Sequence, residues 1–294
     1  MLAAERFGRL LSDLVLEPSE RASGIRAHKA VRSVLQAHYY GHLTITDHSR
    51  LIGAWAKGTE VRPPRSVDLL FVLPKAVRDR PSMAPSSSSL AALIMQDVAQ
   101  VLEASGRAAR IRTDGYAIVV PSGQDVVEVR PAFALPANRY QMCQADGAGD
   151  FYTYDPALEE GNLRQADNKS HGNARDLIRM LKAWQAYRTV RLASFAIELL
   201  SIEFLATWPR AGDPSNFYDW MIRDFFAFLV NQADRLLVVP GSERSLAVGT
   251  AWLSAARTAH VHAAKACACE TDGLNADAWW EWEKIFGERV PFDA

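Results

Sequence analysis

Gly53-Ala54-Trp55-Ala56-Lys57-Gly58-Thr59 leads, through Arg62-Pro63-Pro64-Arg65-Ser66, into Val67-Asp68-Leu69-Leu70-Phe71-Val72-Leu73. The first part reads as a loop punctuated by glycine and closed by the proline pair. The second reads as a strand, and its nearly unbroken apolar run is what a strand covered on both faces requires. Asp68, near the start of that run, is conspicuous. It is either a structural acid, buried or capping the loop, or a working carboxylate.

Outward from this stretch the chain changes texture twice. The residues before it read as helix, with Leu10, Leu11, Leu14, Val31 and Leu35 at apolar positions broken by a Glu17-Pro18-Ser19 turn. After it come a Pro/Ser-rich surface loop over 78–89, an amphipathic helix over 90–104, and short strands over 109–113, 116–120 and 126–129. The stretch 137–173, rich in Gly, Asp and Tyr, reads as an irregular connection. Helices are expected over 174–187, 192–207, 218–232, 245–268 and 276–286. No internal repeat or heptad array is visible.

Composition narrows the class. With 49% hydrophobic and 23% charged residues, the 294-residue chain reads as an ordinary soluble globular protein. A formal net charge of −1 argues against broad binding to DNA or RNA, which needs a large basic surface. Cys143, Cys267 and Cys269 supply no disulfide framework and suit a reducing cytoplasm, which is the expected location. Cys267 and Cys269 follow His260 and His262, but on a helix residues two apart point to nearly opposite sides and cannot converge on one zinc ion. The N-terminus carries charge within its first apolar stretch and is not a secretory signal. The most apolar segment, 192–208, contains Glu198 and Glu203 and is too short to span a bilayer.

The quoted stretch resembles the G-S-x-x-[KR]-G-T…R-P-x-x-D-[VI]-D-[LV] signature of the bacterial cGAS/DncV-like nucleotidyltransferases, a branch of the polymerase-β-like superfamily. Val126-Val127-Glu128-Val129-Arg130-Pro131-Ala132-Phe133 is similar to the strand of that family that carries a further carboxylate, V-D-V-x-P-A. Arg179-Met180-Leu181-Lys182-Ala183-Trp184 and Ser194-Phe195-Ala196-Ile197-Glu198-Leu199-Leu200 resemble its R-x-x-K-x-W and S-F-x-x-E-x-L helices. Ile285-Phe286-Gly287 and Pro291-Phe292 are like the end of bacterial members. Four ordered segments with compatible spacing carry far more weight than any one of them.

The resemblance implies an α+β fold: a polymerase-β-like nucleotidyltransferase lobe with a mixed, twisted sheet, joined to a helical C-terminal lobe. Boundaries are expected at 1–140, with the N-terminal helix free to pack on the helical lobe, at 141–173 for the connection, and at 174–294. Nucleotidyl transfer uses two divalent ions, and carboxylates at alternate strand positions share a face that can hold them. By position, Asp68 and Glu128 would ligate magnesium, with manganese an alternative. Gly53 would shape the phosphate loop, and Lys182 and Ser194 would contact the nucleoside triphosphate. Helical spacing adds that Arg175, Arg179 and Lys182 form one basic stripe opposite Leu177, Leu181 and Trp184, facing either a phosphate or solvent. Phe195 is expected in the core rather than against a base, and Trp55 is either an exposed contact or a lid over the seam.

Three departures stand out. Ala54 replaces the loop serine, Ser66 replaces the first aspartate of the D-x-D, and Glu128 replaces the third-carboxylate aspartate of the V-D-V-x-P-A strand. The implied activity is synthesis of a cyclic di- or trinucleotide messenger for antiphage signalling, read by a downstream effector protein, and weakened at Ser66 and Ala54. A catalytically silent nucleotide-binding relative and another polymerase-β-like transferase are the alternatives. The zinc-bearing DNA-sensing insert of animal relatives is absent, so no activation by double-stranded DNA is expected; no membrane partner and a monomer are expected as well.

Overall fold

A computed structural model describes residues 3–41, 47–79, 89–106, 110–145 and 151–291. Its centre is a seven-stranded mixed sheet built around one long strand, β5 (Asp125–Leu135). β2 (Val67–Val72) runs parallel to β5, while β4 (Ile118–Ser122) and β6 (Arg139–Cys143) pair with it antiparallel. β1 (Ser49–Leu51) flanks β2, β3 (Arg112–Thr113) flanks β4, and β7 (Phe151–Tyr154) flanks β6.

Strand alternation sorts the side chains onto two faces. Leu69, Phe71, Val127, Val129 and Phe133 pack with α2 (Pro18–Tyr40) and α4 (Leu90–Ala104). Leu70 and Ala132 point the other way and pack with Ile52, Met142 and Tyr154. Both faces are covered, as the apolar run in β2 requires. The residues between those apolar positions on the second face are Asp68, Glu128 and Arg130.

The second core is helical. α6 (Asn173–Tyr187), α7 (Ser194–Thr207), α8 (Tyr218–Val230), α9 (Leu253–Thr271) and α10 (Asn275–Phe286) enclose Trp184, Phe226, Trp252 and Trp282, all essentially inaccessible. α1 (Ala3–Leu14) adds Phe7, Leu10 and Leu14 to this cluster, so the N-terminal helix packs among the C-terminal ones. Phe7 meets the edge of the Trp282 ring with centroids 5.0 Å apart. The expected fold class is thus met, with a mixed sheet and a helical C-terminal region.

Three expectations need correction. The stretch read as irregular holds β6, β7 and a 14-residue helix, α5 (Pro156–Lys169). Asp155 caps that helix through the N–H groups of Ala157 and Leu158, and Pro156 occupies its first turn. The start of the helix expected over 245–268 is a strand: Ser245–Ala247 pairs with Leu236–Val238 as a two-stranded ribbon, and the helix begins at Leu253. The loop of the quoted stretch is a single helical turn, α3 (Gly53–Lys57). The Pro/Ser-rich loop lies, over 80–88, outside the described residues. No helix among the described residues is long and apolar enough to cross a membrane.

His28 on α2 is buried, and desolvation, helped by nearby Arg32, pushes its imidazole down to about 4. The folded chain therefore keeps His28 neutral where the unfolded chain protonates it, so stability rises with pH between about 4 and 6.5. Acidification from pH 7.5 to 5 is expected to cost about 2 kcal/mol more in the native chain than in His28→Leu. Urea titrations at the two pH values measure the difference, and equal losses would overturn it.

Candidate functional site

The sheet and the helical core meet at a cleft of about 480 Å³, and its lining contains Gly53, Ala54, Ser66, Asp68, Glu128, Lys182 and Ser194. The seven residues expected to serve catalysis and nucleotide binding therefore line one cleft. Its floor is set by strand register. Asp68 on β2 lies directly beside Glu128 on β5, and both carboxylates point to the cleft face. Burial, reinforced by the like charge of Glu128, raises the Asp68 carboxyl above its ordinary range despite the opposing pull of Arg130.

Arg130 was passed over as a site residue. Two positions beyond Glu128 on the same strand, it shares that face. Its Nη2 donates to Asp68 Oδ1 at 3.1 Å and to Glu128 Oε2 at 3.3 Å, and its Nε also reaches Asp68 Oδ1, at 3.3 Å. The two carboxylates strengthen its charge against the cost of burial. Ser66 lies two positions before Asp68 and also lines the cleft, while its carbonyl accepts from the Trp55 indole at 2.9 Å.

α3 forms one rim. Gly53 has φ +63°, and a Cβ there would collide with the Asp68 carboxylate, so this position needs glycine on two counts. Trp55 is neither an exposed contact nor a lid. It is buried against Leu16 and Val67, over the backbone of Gly24. Lys57 is also buried, and its ammonium sits between Glu159 of α5 and Glu198 of α7. Phe195 places its ring 4.7 Å from that ammonium and lines the cleft, partly buried against the helical core.

The basic stripe of α6 is turned toward the end of α3, with Arg175 and Arg179 partly exposed and Lys182 on the cleft wall. Arg175 Nε donates to the Lys57 carbonyl at 2.8 Å, Arg179 Nη2 to the Gly58 carbonyl at 2.8 Å, and Lys182 Nζ to Thr59 O and Oγ1 at 2.8 and 2.9 Å. A short helix ends with unsatisfied carbonyls, and here three cations of another helix satisfy them. Burial lowers the Lys182 ammonium to about 8, so it stays largely charged at neutral pH. Ser194 Oγ donates to Gln185 Oε1 at 3.0 Å and accepts from Arg65 at 3.2 Å.

At the mouth, Arg244 reaches from the ribbon to the sheet. Its guanidinium lies 4.6 Å from the ring centroids of both Tyr116 and Tyr152 and donates to Tyr116 Oη at 3.0 Å. Nothing in the local sequence announced this residue, since its partners lie more than ninety positions away.

As arranged, the donor set does not fit a pair of dications. Among the described residues no group of three or more His, Cys, Asp or Glu side chains converges. The charge between the two carboxylates that do converge is supplied by Arg130.

Comparison with known proteins gives the family and the fold. The Second Messenger Oligonucleotide or Dinucleotide Synthetase domain family matches residues 1–167, more than half of the chain. A probable cyclic nucleotide synthase of Bacillus cereus (strain VD146) is 27% identical over 82 residues, which cover 27% of this chain and only 25% of that relative. CdnC of E. coli MS115-1, solved in complex with HORMA-deltaN, superposes with a TM-score of 0.73 at 17% identity over 98% of each chain. Vibrio cholerae DncV cyclic AMP-GMP synthase, holding the linear intermediate pppA(3′,5′)pG, gives 0.69 at 13% identity over 96% of this chain and 94% of its own. At such identities these structures speak for the fold, and the family match carries the rest: the chain belongs to the Second Messenger Oligonucleotide or Dinucleotide Synthetase domain family of nucleotidyltransferases, with the cGAS/DncV-like fold.

Proposed function

We propose that the cleft binds a nucleoside triphosphate, ATP or GTP, and that the chain is a synthase of a cyclic di- or trinucleotide messenger whose turnover is weakened at Ser66 and Ala54. In the reaction a ribose hydroxyl loses its proton to solvent as its oxygen attacks the α-phosphorus, the bond from that phosphorus to the bridging oxygen of the β-phosphate breaks, and pyrophosphate leaves with that electron pair. The observation that carries this reading is the convergence of Asp68 and Glu128, side by side on parallel strands, with Lys182 and Ser194 on the helical wall of one cleft. Lys182, Ser194 and the N–H groups of the α3 loop are the residues we assign to the triphosphate. Antiphage signalling through an effector that binds the product is the role we assign to the messenger.

Magnesium, with manganese as substitute, is the ion proposed for the reaction. No step is assigned to it, because Arg130 holds the place between the carboxylates. That same contact, with Ser66, favours a second reading, in which the chain binds nucleotides without turning them over and acts as a sensor or partner.

Calorimetry with each of the four ribonucleoside triphosphates and magnesium tests the binding step common to both readings. Saturable binding of ATP or GTP is expected, weakened roughly tenfold by Lys182→Met through loss of one charge-assisted contact. Absence of binding by all four at millimolar concentration would overturn both readings.

A further inference from the structure

We infer that Arg130 is the resident cation of the Asp68–Glu128 pair, and that a divalent ion can occupy that seat only by displacing its guanidinium. The inference rests on the reading of these two carboxylates as the family's ion seat.

Three observations carry it. First, register places Asp68 and Glu128 next to each other on strands whose backbones are separated by about 5 Å, and two carboxylates that close demand a counter-charge. Second, Arg130 is not a surface residue that happens to lean inward. It is fixed two positions from Glu128 on the same pleat face, and its guanidinium donates to both carboxylates. Third, among the described residues no other acid joins them, and Ser66 supplies a neutral hydroxyl where the D-x-D would place another charge.

The charge balance then decides between occupants. Two carboxylates facing one guanidinium leave a single net negative charge. An incoming dication must strip its own water and also expel a guanidinium that already bridges both carboxylates through hydrogen bonds. Arg130 has somewhere to go: its side chain is 27% exposed, at the same level as Glu128. The seat is therefore guarded rather than destroyed, and the guard is a single side chain.

The test is a titration of manganese alone into the full chain, with free ion followed by its electron paramagnetic resonance signal. The native chain is expected to show no saturable binding below about 5 mM, and Arg130→Met to bind at least roughly tenfold more tightly, as removal of a like charge at this distance predicts. Adding Asp68→Asn to Arg130→Met should abolish the gain, which locates the ion. Arg130→Gln, neutral and still hydrogen-bonding, serves in place of the methionine variant if circular dichroism shows that variant misfolded. The inference is overturned if the native chain binds manganese as tightly as the Arg130 variants, if those variants gain nothing, or if the gain survives Asp68→Asn. No nucleotide is present, so the outcome is independent of whether the cleft binds triphosphates.

Discussion

Ser66→Asp combined with Ala54→Ser is expected to raise the yield of cyclic product from mixed nucleoside triphosphates by roughly three orders of magnitude, as restoring several kcal/mol of transition-state electrostatics implies. The reason is a deficit of charge. Ser66 and Asp68 are two apart, and both line the cleft, so a carboxylate at 66 would join the pair at 68 and 128 rather than point elsewhere. As the chain stands, two carboxylates face the cleft floor, and Arg130 neutralises half of their charge. Ala54 is the smaller part of the deficit: it lacks a hydroxyl on a rim whose backbone is already in place. Adding Asp68→Ala to the double variant should abolish turnover. Radiolabelled nucleotides resolved by chromatography decide the matter. A fast native chain would show that Asp68 and Glu128 suffice, against the present account. A silent double variant would favour the nucleotide-binding relative without turnover.

Lys57→Met is expected to cost about 3–5 kcal/mol of stability, the usual penalty for removing one partner of a buried ion cluster. Lys57 is the cation between Glu159 and Glu198, and their side chains are nearly as buried as its own. Without it two buried carboxylates are left facing each other with no cation between them. Adding Glu198→Gln should recover part of the loss at pH 8. Thermal melts of the three proteins at pH 8 test the claim, and an unchanged melting temperature in Lys57→Met would refute it. The signature lysine thus has a structural task, joining α3 to α5 and α7, that its place in a phosphate-loop motif does not suggest.

Local rules carried the sequence reading furthest where one residue broke a clear pattern. Asp68 and Glu128 stand out because each interrupts an apolar strand, and a two-residue period says which face they share. The same period places Arg130 beside Glu128, a signal present in the sequence and left unused. Asp155-Pro156 was likewise a legible cap, but α5 has few apolar side chains after it and shows little helical periodicity. The strand at Ser245–Ala247 was beyond local reading, because what makes it a strand is Leu236–Val238, its partner across a turn. Pairings such as Lys57 with Glu198, or Arg244 with Tyr116 and Tyr152, span more than ninety residues and leave no local trace.

The single turn of α3 is tied at both ends. The Ile52 N–H donates to the Asp68 carbonyl at 3.2 Å and the Trp55 indole to the Ser66 carbonyl, which fixes its start to the sheet. The α6 cations hold the carbonyls of Lys57, Gly58 and Thr59, which fixes its end to the helical core. A five-residue helix has almost no stability of its own, so its winding is maintained by the two bodies it connects. It acts as a strut. A widening of the cleft would load this strut directly, since it is tied to both sides. On the proposed function, the aperture of the cleft and the coil of the loop assigned to the phosphates are then one mechanical variable.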